Sequence, residues 1–489
     1  MATASAHEMY IDGAWCGAAS GATAAAISPA TGETIGTVPQ GDRDDARRAI
    51  AAATRAAEDW AGLTAFARAA RMHAVGDAIQ ARRDELARIL TLEQGKPLHA
   101  EAYDEVDELV EYWRMAAEDA KRLGGALPNS FSAGKRVMLI RRPRGVVGVI
   151  SPWNWPYTMP AELVAPALAA GNTVVWTPAP STAVCAIALA QCVAAAELPA
   201  GVFNLVTGPG PEVGDEIARH PAVRGVGFIG STATGRHVAA AAAGKATVLE
   251  MGGNGPIVVL ADADLDAAVA ATLTACFLCA GQSCTAGERI LVHRAVHDEF
   301  VTRLAEAVAT TVRLGDPFDA ETTMGPLNNE PVAAKMDAHV ADAVARGATV
   351  VCGGERLGGM PTRLYWPATV LSGVAADARV ATEETFGPIA PVVAIDSLQE
   401  AIALTNASPY GLLAAIFTAD LQAGLEFAER AQTGWVNINE SSNYWEAHLP
   451  FGGRAGTDSG IGRVGGASVM EAFTELQTVT ITPAARDRR

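Results

Sequence analysis

The chain has 489 residues, enough for about three domains at ~150 residues each. Apolar residues make up 49% and charged residues 19%, which excludes a disordered protein, and a chain this long needs no disulfide or metal to hold a core. The net charge of −17 argues against a nucleic-acid partner, because a phosphate backbone would meet an acidic surface.

The amino terminus, MATASAHEMYIDG, has neither a basic region nor an apolar core, so it does not read as a secretory signal. Residues 42–122 have the composition and apolar spacing of helices, with Asp42 or Asp44 as the first cap. Gly124-Gly125 and Pro128 break that pattern, and Val137–Ile140 and Gly145–Ile150 then read as strands. From 145 to 260, short apolar strands (VVGVI, NTVVW, VFNLV, VRGVGFI, ATVLEM) alternate with helical stretches. That alternation predicts a parallel sheet with helices on both faces. It resumes from 256 to about 430, with a long helix expected over 263–280, and predicts a second α/β unit. The longest apolar stretch, after Asp266, is broken by Thr272 and Thr274. It is too short to span a bilayer, so no membrane association is expected. Seven cysteines at irregular spacing make no disulfide framework, and the expected location is the cytoplasm.

Several segments carry candidate chemistry. Cys284, in GQSCTAGER, follows a helix and a glycine, a setting that can expose a thiolate to backbone N–H groups. A buried packing cysteine is the competing reading. Cys276 and Cys279 form a CxxC inside an apolar helical run and read as packing. Glu250, at the end of the strand ATVLEM, would point into the crevice where open α/β sheets bind ligands. It is either a general base or a solvated charge. Asn154, in SPWNWPYTMP, is either an oriented amide that donates to an oxyanion or the start of a local turn. GSTATG, 230–235, opens a helix after a strand, as a phosphate site would, but Arg236 and His237 rule out a P-loop. The nine histidines fall into no ligand pattern, so no metal site is expected.

The order PWNWP, GSTATG, LEMGGNGP, GQSCTAGERI, EETFGP and PFGG, from about residue 8 to 480, resembles the NAD(P)-dependent aldehyde dehydrogenase superfamily. The resemblance implies a Rossmann-type cofactor domain (1–122 and 144–251) and an α/β catalytic domain (252–452). It also implies a small β oligomerisation arm with the C-terminal segment (123–143 and 453–489), the arm pairing a last strand over 474–486. It makes Cys284 the nucleophile and Glu250 the base for thioester hydrolysis. The Asn154 amide and the Cys284 N–H would form the oxyanion hole. The cofactor, NAD or NADP, would meet Ile150, Ser151, Trp153, Thr177, Phe228, Gly230, Ser231, Gly252, Glu384 and Phe386. The partners implied are a small aldehyde and further copies of the chain, in a homodimer or homotetramer.

Four positions depart from the family pattern. Thr177-Pro178-Ala179-Pro180 stands where KPSE is usual, which leaves NAD against NADP open. Asn254 replaces the lysine of GGK, and Glu288 replaces a small hydroxyl residue. RAGTD lengthens the loop after PFGG, which is expected to border the substrate entrance. The expected substrate pocket comprises Trp155, Met159, Glu162, Ser283, Thr285 and part of 440–448. Trp155, Tyr444 and Trp445 point to an aromatic or apolar aldehyde, and no arginine pair for a dicarboxylic semialdehyde is evident. A CoA-acylating dehydrogenase, a cofactor-independent thiol esterase and a non-catalytic binding protein are the alternatives. Glu250 argues against the first, Glu384 and Phe386 against the second, and the intact Cys284, Glu250 and Asn154 against the third.

Overall fold

The computed structural model describes residues 5–483. Residues 1–4 of the amino-terminal segment and 484–486 of the expected last strand lie outside that range. Two α/β sheets dominate. The first has the strand order Gly460–Ile461, Ala246–Glu250, Val223–Ile229, Val146–Ile150, Thr173–Thr177, Phe203–Leu205, Met9–Ile11, Ala14–Cys16. Its five central strands are parallel and its edges antiparallel. The second runs Thr349–Cys352, Thr369–Ser372, Ile389–Ile395, Gly287–His293, Gly255–Val259, Leu413–Phe417, Trp435–Ile438, parallel except for its first strand. This is the α/β architecture expected from the alternating sequence.

The central strands are continuous apolar runs because helices cover both faces. Val174, Val175, Ile257, Val258 and Val259 are fully buried, each contributing about 1.5–3 kcal/mol of transfer free energy. The alanine-rich helix Ala183–Ala195 is buried nearly all round, which small side chains permit at close range. Arg43–Gly62 starts at Asp42, whose carboxylate accepts from the Asp44 and Asp45 N–H groups in a reciprocal capping box.

One element differs from expectation. The helix expected over 263–280 ends at Phe277, and a tight turn, Leu278–Gly281, follows. Within the C-terminal segment, Gly460–Ile461 pairs with Ala246–Glu250 of the first sheet. The ribbon itself pairs Arg136–Pro143 antiparallel with Thr474–Ile481. Among the described residues no helix is long and apolar enough to cross a membrane.

Candidate active site

Three neighbouring parallel strands end side by side, with Glu250 opposite Ile229 and Phe228 opposite Ile150. Their carboxyl ends therefore project Glu250, Gly230-Ser231 and Ser151–Asn154 into one crevice, at the point where the strand order reverses. The second sheet faces them with its amino-terminal loops. One, leading into Gly287–His293, carries Cys284, and another, leading into Ile389–Ile395, carries Glu384 and Phe386.

The loop bearing Cys284 is held in an unusual conformation. Cys279, Ala280 and Gly281 have φ of 52°, 53° and 69°. Left-handed backbone at a non-glycine residue costs about 1–3 kcal/mol and persists only when its surroundings enforce it. Here the Cys279 N–H donates to both oxygens of the Glu101 carboxylate at 3.0 and 3.1 Å. The Gln282 side chain donates to Cys279 O at 2.8 Å and accepts from the Asn328 N–H at 2.9 Å. Asn154 Nδ2 donates to Gln282 O at 3.0 Å, which ties the amide to the loop two residues before the thiol. Gly253 has no room for a Cβ, which would sit 2.0 Å from Cys284 O. Glycine there lets the Glu250 strand end approach the cysteine loop.

Cys284 lies where two cavities meet. One, of about 300 Å³, is lined by Trp153, Asn154, Gly230, Ser231, Glu250, Gly252, Cys284, Glu384 and Phe386. It thus unites all three expected catalytic residues and six of the expected cofactor positions. Ile150, Ser151, Thr177 and Phe228 lie outside that lining. Ser151 instead accepts from Trp176 Nε1 at 2.8 Å. Thr177 is buried with an unpartnered hydroxyl. Phe228 packs beneath Gly230, where a Cβ would come within 2.8 Å of its ring. The lining also includes Asn329, Pro331, Val332 and Lys335, which no sequence motif marked.

The cavity suits an extended ligand with a phosphate. At one end Ser231 caps the helix Thr232–Ala241 and leaves its first N–H groups facing outward. At the other, Glu384 accepts from the Gly253 N–H at 2.8 Å, and Lys335 donates to Glu384 O at 3.2 Å. Phe386 stands edge-on to Trp153, centroids 5.6 Å apart. Its φ of 59° is strained for an aromatic residue. The buried Glu288 carboxylate enforces it by accepting from the Thr385 and Phe386 N–H groups at 2.8 and 2.6 Å. That is what the departure at Glu288 accomplishes. Asn254, at the lysine position of GGK, donates to Glu383 O at 3.0 Å and so ties the same loop.

The second cavity, about 30 Å³, is lined by Trp155, Met159, Glu162, Glu250, Leu278, Ser283, Cys284, Thr285, Asn443, Trp445 and Phe451. The expected pocket residues therefore converge here, except that Tyr444 is 46% exposed and donates to Glu446. The lengthened loop after PFGG does not line this cavity. Asp458 accepts from Arg236, and Ser459 bridges Gly252 O and the Gly411 N–H, so the loop braces the other side of the crevice.

Electrostatically the centre is acidic. Burial, then the adjacent Glu250, pushes the Cys284 thiol well above its usual range, so it rests protonated. Burial raises the Glu250 carboxyl to about 8, a hydrogen bond with Cys284 pulling it back and Glu384 pushing it further. The buried Oε1 of Glu250 has no hydrogen-bond partner. A carboxyl that titrates near neutrality beside a thiol can take its proton.

The model of the aldehyde dehydrogenase family matches residues 15–479. A glutarate-semialdehyde dehydrogenase of Pseudomonas aeruginosa is 40% identical over 96% of this chain and 96% of its own length. An NADP-dependent succinate-semialdehyde dehydrogenase of Escherichia coli is 40% identical over 97% of this chain and 98% of its own. The crystal structure of an NAD-dependent aldehyde dehydrogenase from Sinorhizobium meliloti superposes with a TM-score of 0.95 at 36% identity, covering 99% of this chain and 97% of that one. The chain belongs to the aldehyde dehydrogenase family, and its activity is the oxidation of an aldehyde to the acid.

Proposed function

We propose that the oxidation proceeds through covalent catalysis at Cys284, with Glu250 as the proton acceptor and NAD or NADP in the larger cavity. The observation that carries this reading is the half-buried Cys284 beside the buried Glu250 where the two cavities meet. An aldehyde entering from the smaller cavity presents its carbonyl carbon to Cys284 Sγ. As the S–C bond forms, the thiol proton passes to Glu250 and the carbonyl oxygen becomes an alkoxide. The second N–H of Asn154 Nδ2 and the Cys284 N–H donate to it. Bound NAD(P)+ supplies the hydride acceptor that turns this adduct into a thioester. Glu250, having released the thiol proton to solvent, takes a proton from water as the water oxygen attacks the thioester carbon. The C–S bond then breaks, the Cys284 sulfur takes that proton back from Glu250, and the acid leaves.

Trp153, Gly230, Ser231, Gly252, Glu384 and Phe386 hold the cofactor in this reading: the helix end receives the pyrophosphate, and the Glu384 carboxylate a ribose. Ile150, Ser151, Thr177 and Phe228 shape the floor behind them. The segment Thr177–Pro180 offers no carboxylate to repel a 2′-phosphate and no cation to hold one, so both cofactors are accommodated. Titration of each, read by quenching of tryptophan fluorescence, should give dissociation constants within about tenfold of each other. A hundredfold difference would overturn that point.

The domain division belongs to the same proposal: 1–122 and 144–251 around the cofactor, 252–452 carrying Cys284, and an arm from 123–143 with the C-terminal segment 453–489. The ribbon Arg136–Pro143 with Thr474–Ile481 exposes Leu476 and Ile481. A two-stranded ribbon is marginal alone, and its open edges invite pairing. It supports a homodimer or homotetramer. Seven free cysteines fit the reducing cytoplasm. The test of the reaction itself is Cys284→Ala, which should abolish reduction of the cofactor while leaving its binding intact. Retained turnover would remove Cys284 from the mechanism.

A further inference from the structure

The substrate cavity and the adjoining cavity share one charged residue. Glu162 lines both, the second being walled by Tyr112, Asp119 and Ala447. Its Oε1 accepts from Tyr112 Oη at 2.6 Å, while Oε2, buried, has no partner. The residue is 2% exposed. Burial, then nearby Glu108 and Glu250, drives this carboxyl well above its usual range, with the Tyr112 bond opposing. An unsatisfied buried carboxyl oxygen costs free energy that a bound donor would recover.

The charged residues that line the two cavities are Glu250, Glu162 and Asp119, with no lysine or arginine among them. Asp119 is paired with the exposed Arg122 at 2.9 Å. The nearest buried cation, Lys96, sits 3.8 Å over the Trp155 ring and is neutralised by Glu105. A carboxylate substrate would be a buried charge among acids, with no lysine or arginine in the lining to pair it, an arrangement that costs several kcal/mol. A protonated amine would supply the donor that Glu162 Oε2 lacks and hold that carboxyl ionised, in a cavity that Trp155 and Trp445 also line. At about 30 Å³ the cavity holds two or three water-sized groups at ~10–15 Å³ each, which admits a slim chain rather than a ring.

We propose that Glu162 is a specificity-determining residue that selects short aldehydes bearing a protonated amine and rejects the carboxylate-bearing semialdehydes for which two relatives are named. This rests on the oxidation described above and departs from the expectation of an aromatic or apolar aldehyde.

The test compares kcat/KM of the wild-type enzyme for 3-aminopropanal, its neutral isostere butanal, and succinic semialdehyde, each with saturating cofactor. The expected order is amine, neutral, carboxylate, with a factor of about 10 to 100 at each step, the range of a hydrogen bond to a charged group. In Glu162→Gln the ratio of amine to butanal should collapse towards unity through KM, with kcat for the amine largely retained. A wild-type preference for succinic semialdehyde over butanal would overturn the proposal. So would an amine-to-butanal ratio unchanged in Glu162→Gln. Should Glu162→Gln fail to fold, the wild-type order alone decides. Oxidation of butanal without preference for the amine sinks only the role of Glu162. No reduction with any of the three sinks the oxidation reading and this one together.

Discussion

Cys284, half-buried, and Glu250, buried, are two weak acids at one junction, and neither is poised to ionise unaided. Because the Glu250 carboxyl titrates at about 8, the fraction able to accept a proton grows as pH rises through that value. Turnover at saturating aldehyde should therefore climb with pH through about 7–9 and level off above it. A profile flat over that span would contradict the assignment of Glu250. Asn154 donates one N–H to Gln282 O and keeps the other for the alkoxide. Asn154→Ala should lower kcat about 100- to 1,000-fold while barely changing cofactor affinity. Glu288 acts one layer further out. Glu288→Ala leaves two buried N–H groups without an acceptor, at about 1–3 kcal/mol each, and frees Phe386 from its left-handed φ. The expected result is a lower Tm and a raised KM for the cofactor, measured by thermal unfolding and steady-state kinetics.

At the level of elements, what sequence made legible was position along a strand. Glu250, Asn154 and Ser231 each follow a run of β-branched and apolar residues, and such strand ends face the crevice of any open α/β sheet. Local pattern alone was enough to mark them. It could not reveal contacts made across the fold. Lys335 sits in an ordinary-looking helix, Glu330–Ala345, and reaches the crevice only through packing on the Glu384 loop. Glu288 reads as a strand residue until its bonds to Thr385 and Phe386 are seen. The overlong helix expected over 263–280 has the same origin. Its apolar composition continues smoothly past Phe277, and the left-handed turn at Cys279–Gly281 is imposed by Glu101 and Asn328 from elsewhere, acting with the adjoining Gln282. Glu101→Gln should therefore disturb the Cys284 loop more than its conservative chemistry suggests. Slower alkylation of Cys284, with overall stability little changed, would be its sign. Alkylation at the wild-type rate would mean that the loop holds itself.

For the whole molecule, the buried acids set an unusual pH response. Burial raises Glu93, Glu101 and Glu108 to about 7 each. Each folded pKa lies above its unfolded value of ~4.3, so the folded state holds these protons more tightly. Stability is then full below the unfolded pKa and is lost as pH rises through 7. The Tm should fall between about pH 5 and pH 8, and a rising Tm over that interval would contradict it. Asp215, held near 2 by Arg219, His237 and Arg43 against its burial, acts the other way only under stronger acid. Assembly belongs to this scale too. Light scattering should return at least a dimer, and deleting residues 474–489 should release monomers. A monomeric full-length chain would remove the ribbon's proposed role.

The central claim is that one covalent intermediate on Cys284 is made and then hydrolysed with help from Glu250. Rapid mixing of Glu250→Gln with NAD or NADP and butanal, followed by the absorbance of the reduced nicotinamide, tests it most directly. The expected trace is a first turnover of about one equivalent per active site, slower than in the wild type because the thiol has lost its proton acceptor, and then still slower turnover, with the acyl mass found on Cys284 in the quenched protein. Wild-type steady turnover without a burst, or an unmodified Cys284, would contradict the mechanism.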